Sequence, residues 1–213
     1  MKRTLPAVWS SIVASPFLVV GVDGYVNALA LQVPTALSQV ALLVGLSIAL
    51  FGIYVHAVAG SAFEPEVTER SLNNATPRTP FVRAKAVVGL CGLCLACYWL
   101  FYTHVPYVYP TIALVVGALL FATGVWTYWL NSLTTYYLTN KRLVTETRLL
   151  GTNHKNVQLE MVKTRTVARP FYLRLFGLGN IKLDTGARRL ALVRHIREAK
   201  EFERSIADAI QKR

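Results

Sequence analysis

Four long runs without a single Asp, Glu, Lys or Arg fill most of the first 131 residues, and nothing else limits the fold of this chain as strongly. They lie at about 5–22, 37–60, 86–103 and 108–130. A hydrocarbon core about 30 Å thick takes about 20 apolar residues of α-helix to cross. Within it every backbone N–H and C=O must find a partner in the protein, which leaves only helices and closed barrels. The expectation is a transmembrane domain over 1–131, with four helices in two hairpins. The first run has a second reading as a cleaved signal peptide: Lys2 and Arg3 precede it, and Ala28-Leu29-Ala30 follows as a small-residue cleavage site.

The charge is uneven. Of 23 Lys and Arg against 11 Asp and Glu, for a net charge of +12, six basic residues and four acidic ones precede Lys141. Seventeen and seven follow from there. Lys and Arg collect on the cytoplasmic side of membrane proteins. Residues 21–34 hold Asp23 and no basic residue, so that loop should lie outside. Residues 61–85 hold Arg70, Arg78, Arg83 and Lys85 and should lie inside, and the uncharged 103–106 fits a tight outer turn. Both termini are then cytoplasmic, in a multi-pass protein of the cell membrane. Tyr98, Trp99 and Tyr107 crowd the outer turn, and Trp126, Tyr128 and Trp129 the inner end of the fourth run. Such rings favour membrane–water interfaces. The Asn74-Ala75-Thr76 sequon should therefore carry no glycan. Nucleic acid is not an expected partner, since no helix-turn-helix, zinc or RNP pattern accompanies the basic residues.

The remainder, 132–213, reads as a water-soluble, strand-rich domain. Val157, Leu159 and Met161 alternate with Gln158 and Glu160, and Ile181 and Leu183 with Lys182 and Asp184. Period-two alternation puts one face on a core. Thr139 to Arg142 fits a tight turn, because Asn140 tolerates positive φ. From His195 the period becomes helical, with Ile196, Ala199, Phe202, Ile206 and Ile210 on one face. About six short strands and a closing amphipathic helix are expected, with Ile196, Phe202 and Ile206 turned into the core.

Two motifs carry a resemblance. Tyr137, Thr139, Asn140 and Arg142 form the first, and Arg174, Leu175, Gly177, Leu178, Gly179, Ile181 and Thr185 the second. In this order they resemble the prokaryotic pleckstrin-homology-like (PH-like) domain of small membrane proteins, the YdbS-like group. The resemblance implies an α + β membrane protein: four transmembrane helices, then a small cytoplasmic PH-like β-barrel capped by the C-terminal helix. It implies little about function. Eukaryotic PH domains that bind phosphoinositides use a long basic loop between their first two strands. Here only the Thr139–Arg142 turn is expected there, so a specific inositol-phosphate site is not.

No arrangement of residues suggests an enzyme or a cofactor. Cys91, Cys94 and Cys97 share one helix face with His104, but Cys91 and His104 would stand about 20 Å apart along a straight helix. One metal cannot span that, and Cys in a membrane helix serves as a small apolar residue. Gly177-Leu178-Gly179 lacks the third glycine of a dinucleotide loop and reads as a turn. Asp23, between Gly21 and Gly24, reads as a loop residue at the edge of a span. The candidate contact surface is Lys163, Arg165, Arg169 and Arg174 with Phe171 and Phe176, a basic face followed by a short amphipathic segment. Such a surface meets anionic headgroups or a protein. The expected function is a non-enzymatic membrane protein whose cytoplasmic domain mediates protein–protein contact or assembly, self-association included, with non-specific lipid contact. The alternative is a small transporter or accessory subunit in which the spans do the work.

Overall fold

The computed structural model describes residues 5–26, 34–59, 69, 71–149, 151–186, 190–197 and 199–211. Ala28-Leu29-Ala30, Arg70 and the first part of the expected inner loop lie outside the described residues. The chain divides into two compact units, Met1–Phe63 and Glu64–Arg213. Among the described residues four helices are long and apolar enough to cross a membrane.

The first unit is a hairpin of α1 (Leu5–Val26) and α2 (Thr35–Val58). Small residues set its spacing. A Cβ on Gly21 would lie 2.7 Å from the Leu42 backbone, and Gly45 and Gly52 leave the same lack of room against Leu18 and Ser10. Close backbone approach is a main source of helix association in lipid. Asp23 is not in a loop, as its glycine neighbours suggested. It lies inside α1 at 4% exposure, because Gly21 and Gly24 serve as contact points against Leu42 and Ser38 and the helix runs on through them.

The second unit begins with a strand that periodicity did not reveal. β1 (Ser71–Ala75) precedes α3 (Pro80–Tyr102), and α4 (Val108–Leu133) passes without a break into β2 (Thr134–Thr139). β1 and β2 pair antiparallel, with Asn74 opposite Tyr137 and Ala75 opposite Tyr136. The α3–α4 hairpin is thus an insertion between two neighbouring strands. The connection between the first two strands is this hairpin, not the Thr139–Arg142 turn, which joins β2 to β3 (Arg142–Arg148). Within the hairpin, Gly89 faces the Phe121 backbone and Gly124 faces Ala86. Arg83, in the second turn of α3, lies over the Tyr128 ring at 5.2 Å.

The strands do not close into a barrel. β1, β2, β3 and β4 (Thr152–Gln158) form one sheet in that order; β5 (Thr164–Ala168), β6 (Leu178–Asp184) and β7 (Leu190–Arg197) form the other. The break falls where alternation at Val157, Leu159 and Met161 suggested one strand. Leu159–Met161 is a 3-10 turn, whose Leu159 N–H donates to Lys141 O at 3.0 Å. It carries the chain from one sheet to the other and interrupts the ladder. Alternation at Ile181 and Leu183 does mark a strand, β6.

α5 (Phe171–Leu175) links β5 to β6, and α6 (Ala199–Gln211) closes the sheets. α6 starts four residues later than the helical period suggests, since β7 runs on through His195 and Ile196 to Arg197. A bulge there sets Arg194 and His195 opposite Asn180 alone, and gives His195 a φ of 57°. Ile196, Phe202 and Ile206 are buried with Leu138, Leu143, Leu159, Ile181, Leu183 and Val193 in one core.

Candidate functional site

The six residues marked for contact follow one another along β5 and α5 without gathering at one point. Among the described residues β5 is an edge strand, paired only with β6, from Thr164 opposite Asp184 to Ala168 opposite Asn180. Lys163 stands just before it: its N–H donates to Asp184 O at 2.8 Å, and its side chain lies beside Gly186. Arg169 follows the far end, its side chain against Gly179. At about 3.3 Å per residue the two ends are roughly 20 Å apart. Exposed charges act over about 10 Å at 0.1 M salt. Lys163 and Arg165 therefore make one basic region, and Arg169 and Arg174 another beside α5.

α5 is a single turn entered through Pro170 and left through Gly177, whose φ of 66° takes the chain directly into β6. Leu173 anchors it at 0% exposure, while Phe171 and Leu175 stand open at 82% and 74%. Phe176 follows, its ring edge-on to Phe81 at 6.1 Å. Phe81 is the second residue of α3, a helix that can cross a membrane. The open apolar residues of α5 are thus beside the end of a helix long and apolar enough to cross a membrane, with Arg169 and Arg174 near them in the chain. Apolar groups flanked by basic ones suit the headgroup boundary. Phe81 is a functional candidate that the sequence did not mark, whereas Leu175 belongs to the short amphipathic segment that the sequence suggested. Phe81 belongs to the site only through a tertiary contact 95 residues along the chain, between positions 81 and 176.

Two sheets of four and three strands, a closing helix and a hairpin set within the first sheet define the second unit, and its sequence matches one family. Residues 85–210, more than half of the chain, match the model described as Bacterial PH domain. The chain belongs to the bacterial PH domain family. The matched stretch opens inside α3, so it takes in most of the hairpin together with β2 to β7 and most of α6, while β1 lies ahead of it. No curated protein and no solved structure matches the chain.

In this bacterial PH domain the motif residues hold turns and packing. Thr139 Oγ1 accepts from the Arg142 N–H at 3.0 Å and donates to Arg142 O at 2.9 Å, bracing the β2–β3 turn. The Arg142 guanidinium reaches Glu69, ahead of β1, with Nε 3.0 Å from Oε1. Gly179 leaves room for Ala199 at the start of α6, 2.8 Å from where a Cβ would stand. Cys91, Cys94 and Cys97 are free thiols on the exposed side of α3. At the bulge, His195 donates its N–H to Asn180 Oδ1 at 2.9 Å and accepts from the Arg78 N–H at 2.7 Å. Its Nδ1 is buried without a partner. Burial, with a smaller contribution from the Arg194 charge, lowers its pKa.

Proposed function

We propose that this chain is a non-enzymatic, multi-pass membrane adaptor of the YdbS-like group, whose PH-like domain is held at the cytoplasmic leaflet and docks a protein partner there. The observation that carries the reading is the insertion of α3–α4 between paired strands, with α4 running straight into β2. A domain joined to its helices twice, once without a linker, has little freedom to swing away from the leaflet. The basic residues of the loop before α3 and of the domain favour the cytoplasmic side, and β1 keeps that loop and the sheet together. α5 contributes Phe171, Leu175 and Arg174 to the leaflet contact. The free edge of β5, with Lys163 and Arg165, is the surface assigned to the partner, since unpaired edge groups invite another strand.

A photo-crosslinking residue at Thr166 should capture protein in intact cells, and the same residue at Phe171 should capture lipid. Absence of any protein adduct at Thr166, with lipid capture at Phe171 intact, would sink the adaptor role.

One observation favours the second reading, transport or an accessory role for the spans. Asp23 is buried in α1, and acidic groups inside membrane helices usually serve ion or substrate paths. Under that reading Asp23→Asn abolishes activity of the host cell's affected process while leaving the protein's amount and fold unchanged. Under the adaptor reading the Thr166 adduct persists in Asp23→Asn.

A further inference from the structure

Three strands carry their inner face beyond the apolar core. Residues opposite one another on β2, β3 and β4 fall into rows: Leu138, Leu143 and Val157; then Tyr136, Thr145 and Lys155; then Thr134, Thr147 and Asn153. Leu138, Leu143 and Tyr136 are in the core. Past them the same face turns polar and opens into a cleft of about 980 Å³. Its other walls are Thr127, Leu130 and Asn131 near the end of α4, and Leu192 and Arg194 of β7. Tyr136 fixes β7 across the cleft, its hydroxyl accepting from the Arg194 N–H at 3.2 Å.

The chemistry of the walls is one-sided. Lys155, Arg194 and His154 line the cleft, and among the described residues no Asp or Glu does. Among the described residues neither the Lys155 nor the Arg194 side chain is paired with a carboxylate. Asn131 Nδ2 is buried with no acceptor, and such a donor in a folded protein calls for a partner. Ammonium, guanidinium, amide and hydroxyl groups lining one cleft without an acid among the described residues fit an anion that accepts many hydrogen bonds, as a phosphate ester does. The position narrows its source. Thr127, Leu130 and Asn131 lie in the last two turns of a membrane-crossing helix, next to Trp126 and Trp129. Headgroups sit at the level of such rings.

We propose that the cleft between the end of α4, the β2–β4 face and β7 binds a phosphate ester, Lys155 and Arg194 carrying the charge and Asn131 Nδ2 donating to it. A phospholipid of the adjoining leaflet is the source the position favours, and a soluble phosphate ester offers the same chemistry. The site requires that α4 end at a membrane surface and does not depend on the adaptor role.

The test uses the full chain in mild detergent with three probes: dioleoyl phosphatidylglycerol, dioleoylglycerol, which lacks the phosphate, and sn-glycerol 3-phosphate. Native mass spectrometry reads the first two and titration calorimetry the third. Retention of phosphatidylglycerol without dioleoylglycerol identifies a lipid phosphate, and binding of glycerol phosphate as well identifies a site open to soluble esters. Lys155→Gln with Arg194→Gln should weaken the bound probe at least about tenfold. Lys155 stands exposed on an edge strand, so Lys155→Gln alone keeps the fold and should weaken binding about threefold or more. Arg169→Gln with Arg174→Gln, on and beside α5, should leave it unchanged, which separates the cleft from the outer leaflet contact. Failure of both phosphate probes to bind, or wild-type binding by Lys155→Gln and the double variant, overturns the proposal.

Discussion

His195 brings together a backbone turned to positive φ, a buried ring nitrogen without a partner and a neighbouring positive charge. The three have one cause, the bulge that lets β7 gain a residue over β6. Burial removes the water that stabilises the imidazolium, so the folded pKa lies below the usual value near 6.5. The unfolded chain then binds the proton first. Stability from this residue is present in full above about pH 6.5 and is lost as pH falls toward the folded pKa. Asn accepts the same φ and does not titrate. His195→Asn should therefore unfold at a temperature that changes less between pH 7.5 and pH 5.5 than in the wild type. Equal slopes for the two proteins would show that the ring is not a source of acid sensitivity.

Among the elements, those that were legible in the sequence are those whose burial repeats along the chain. β6 and the buried face of α6 follow from periodicity, and the four long apolar helices from length and composition, since most of their apolar surface is not buried within the protein. β1 was not legible. Ser71-Leu72-Asn73-Asn74-Ala75 alternates weakly and is partly exposed, and its place is set by pairing with β2 on the far side of a 58-residue gap, from 76 to 133. The cleft was hidden for the opposite reason. Thr145, Thr147, Lys155 and Asn153 keep the period of a core face but are polar, so they read as a wet surface. Which glycines of the long apolar helices are critical depends on the partner helix, so the sequence alone does not single them out. At Gly89 a Cβ would lie 2.7 Å from Phe121 Cα, while Gly151 faces open space. Gly89→Ala should cost about 1–3 kcal/mol through forced separation of α3 and α4, seen as a lower Tm in detergent. Gly151→Ala should be nearly neutral, and equal Tm values for both variants would refute close packing at Gly89.

For the second unit as a whole, the consequence of greatest reach is that a long apolar hairpin interrupts a sheet. Chain order alone suggested a membrane part followed by a separate domain, whereas β1 ties the loop before α3 to the strand after α4. Opposite residues on antiparallel strands have Cβ atoms about 4.5–5.5 Å apart, within reach of a disulfide after small adjustment. Asn74 and Tyr137 are such a pair. With Cys91, Cys94 and Cys97 changed to Ser, Asn74→Cys with Tyr137→Cys should therefore cross-link within one chain under mild oxidation. A protease site placed in the 103–106 turn makes the bond visible, because the cut halves stay together until reduced. The same cut tests topology: a protease added to intact cells should reach this turn if the basic residues at the other end of the hairpin mark the cytoplasmic side, and protection of the turn would reverse that orientation. Asn74→Cys with Lys182→Cys, a residue of the other sheet, should give little product. Halves that separate without reductant while the control behaves the same would remove β1 from the sheet, and with it the double attachment on which the proposed seating at the leaflet rests.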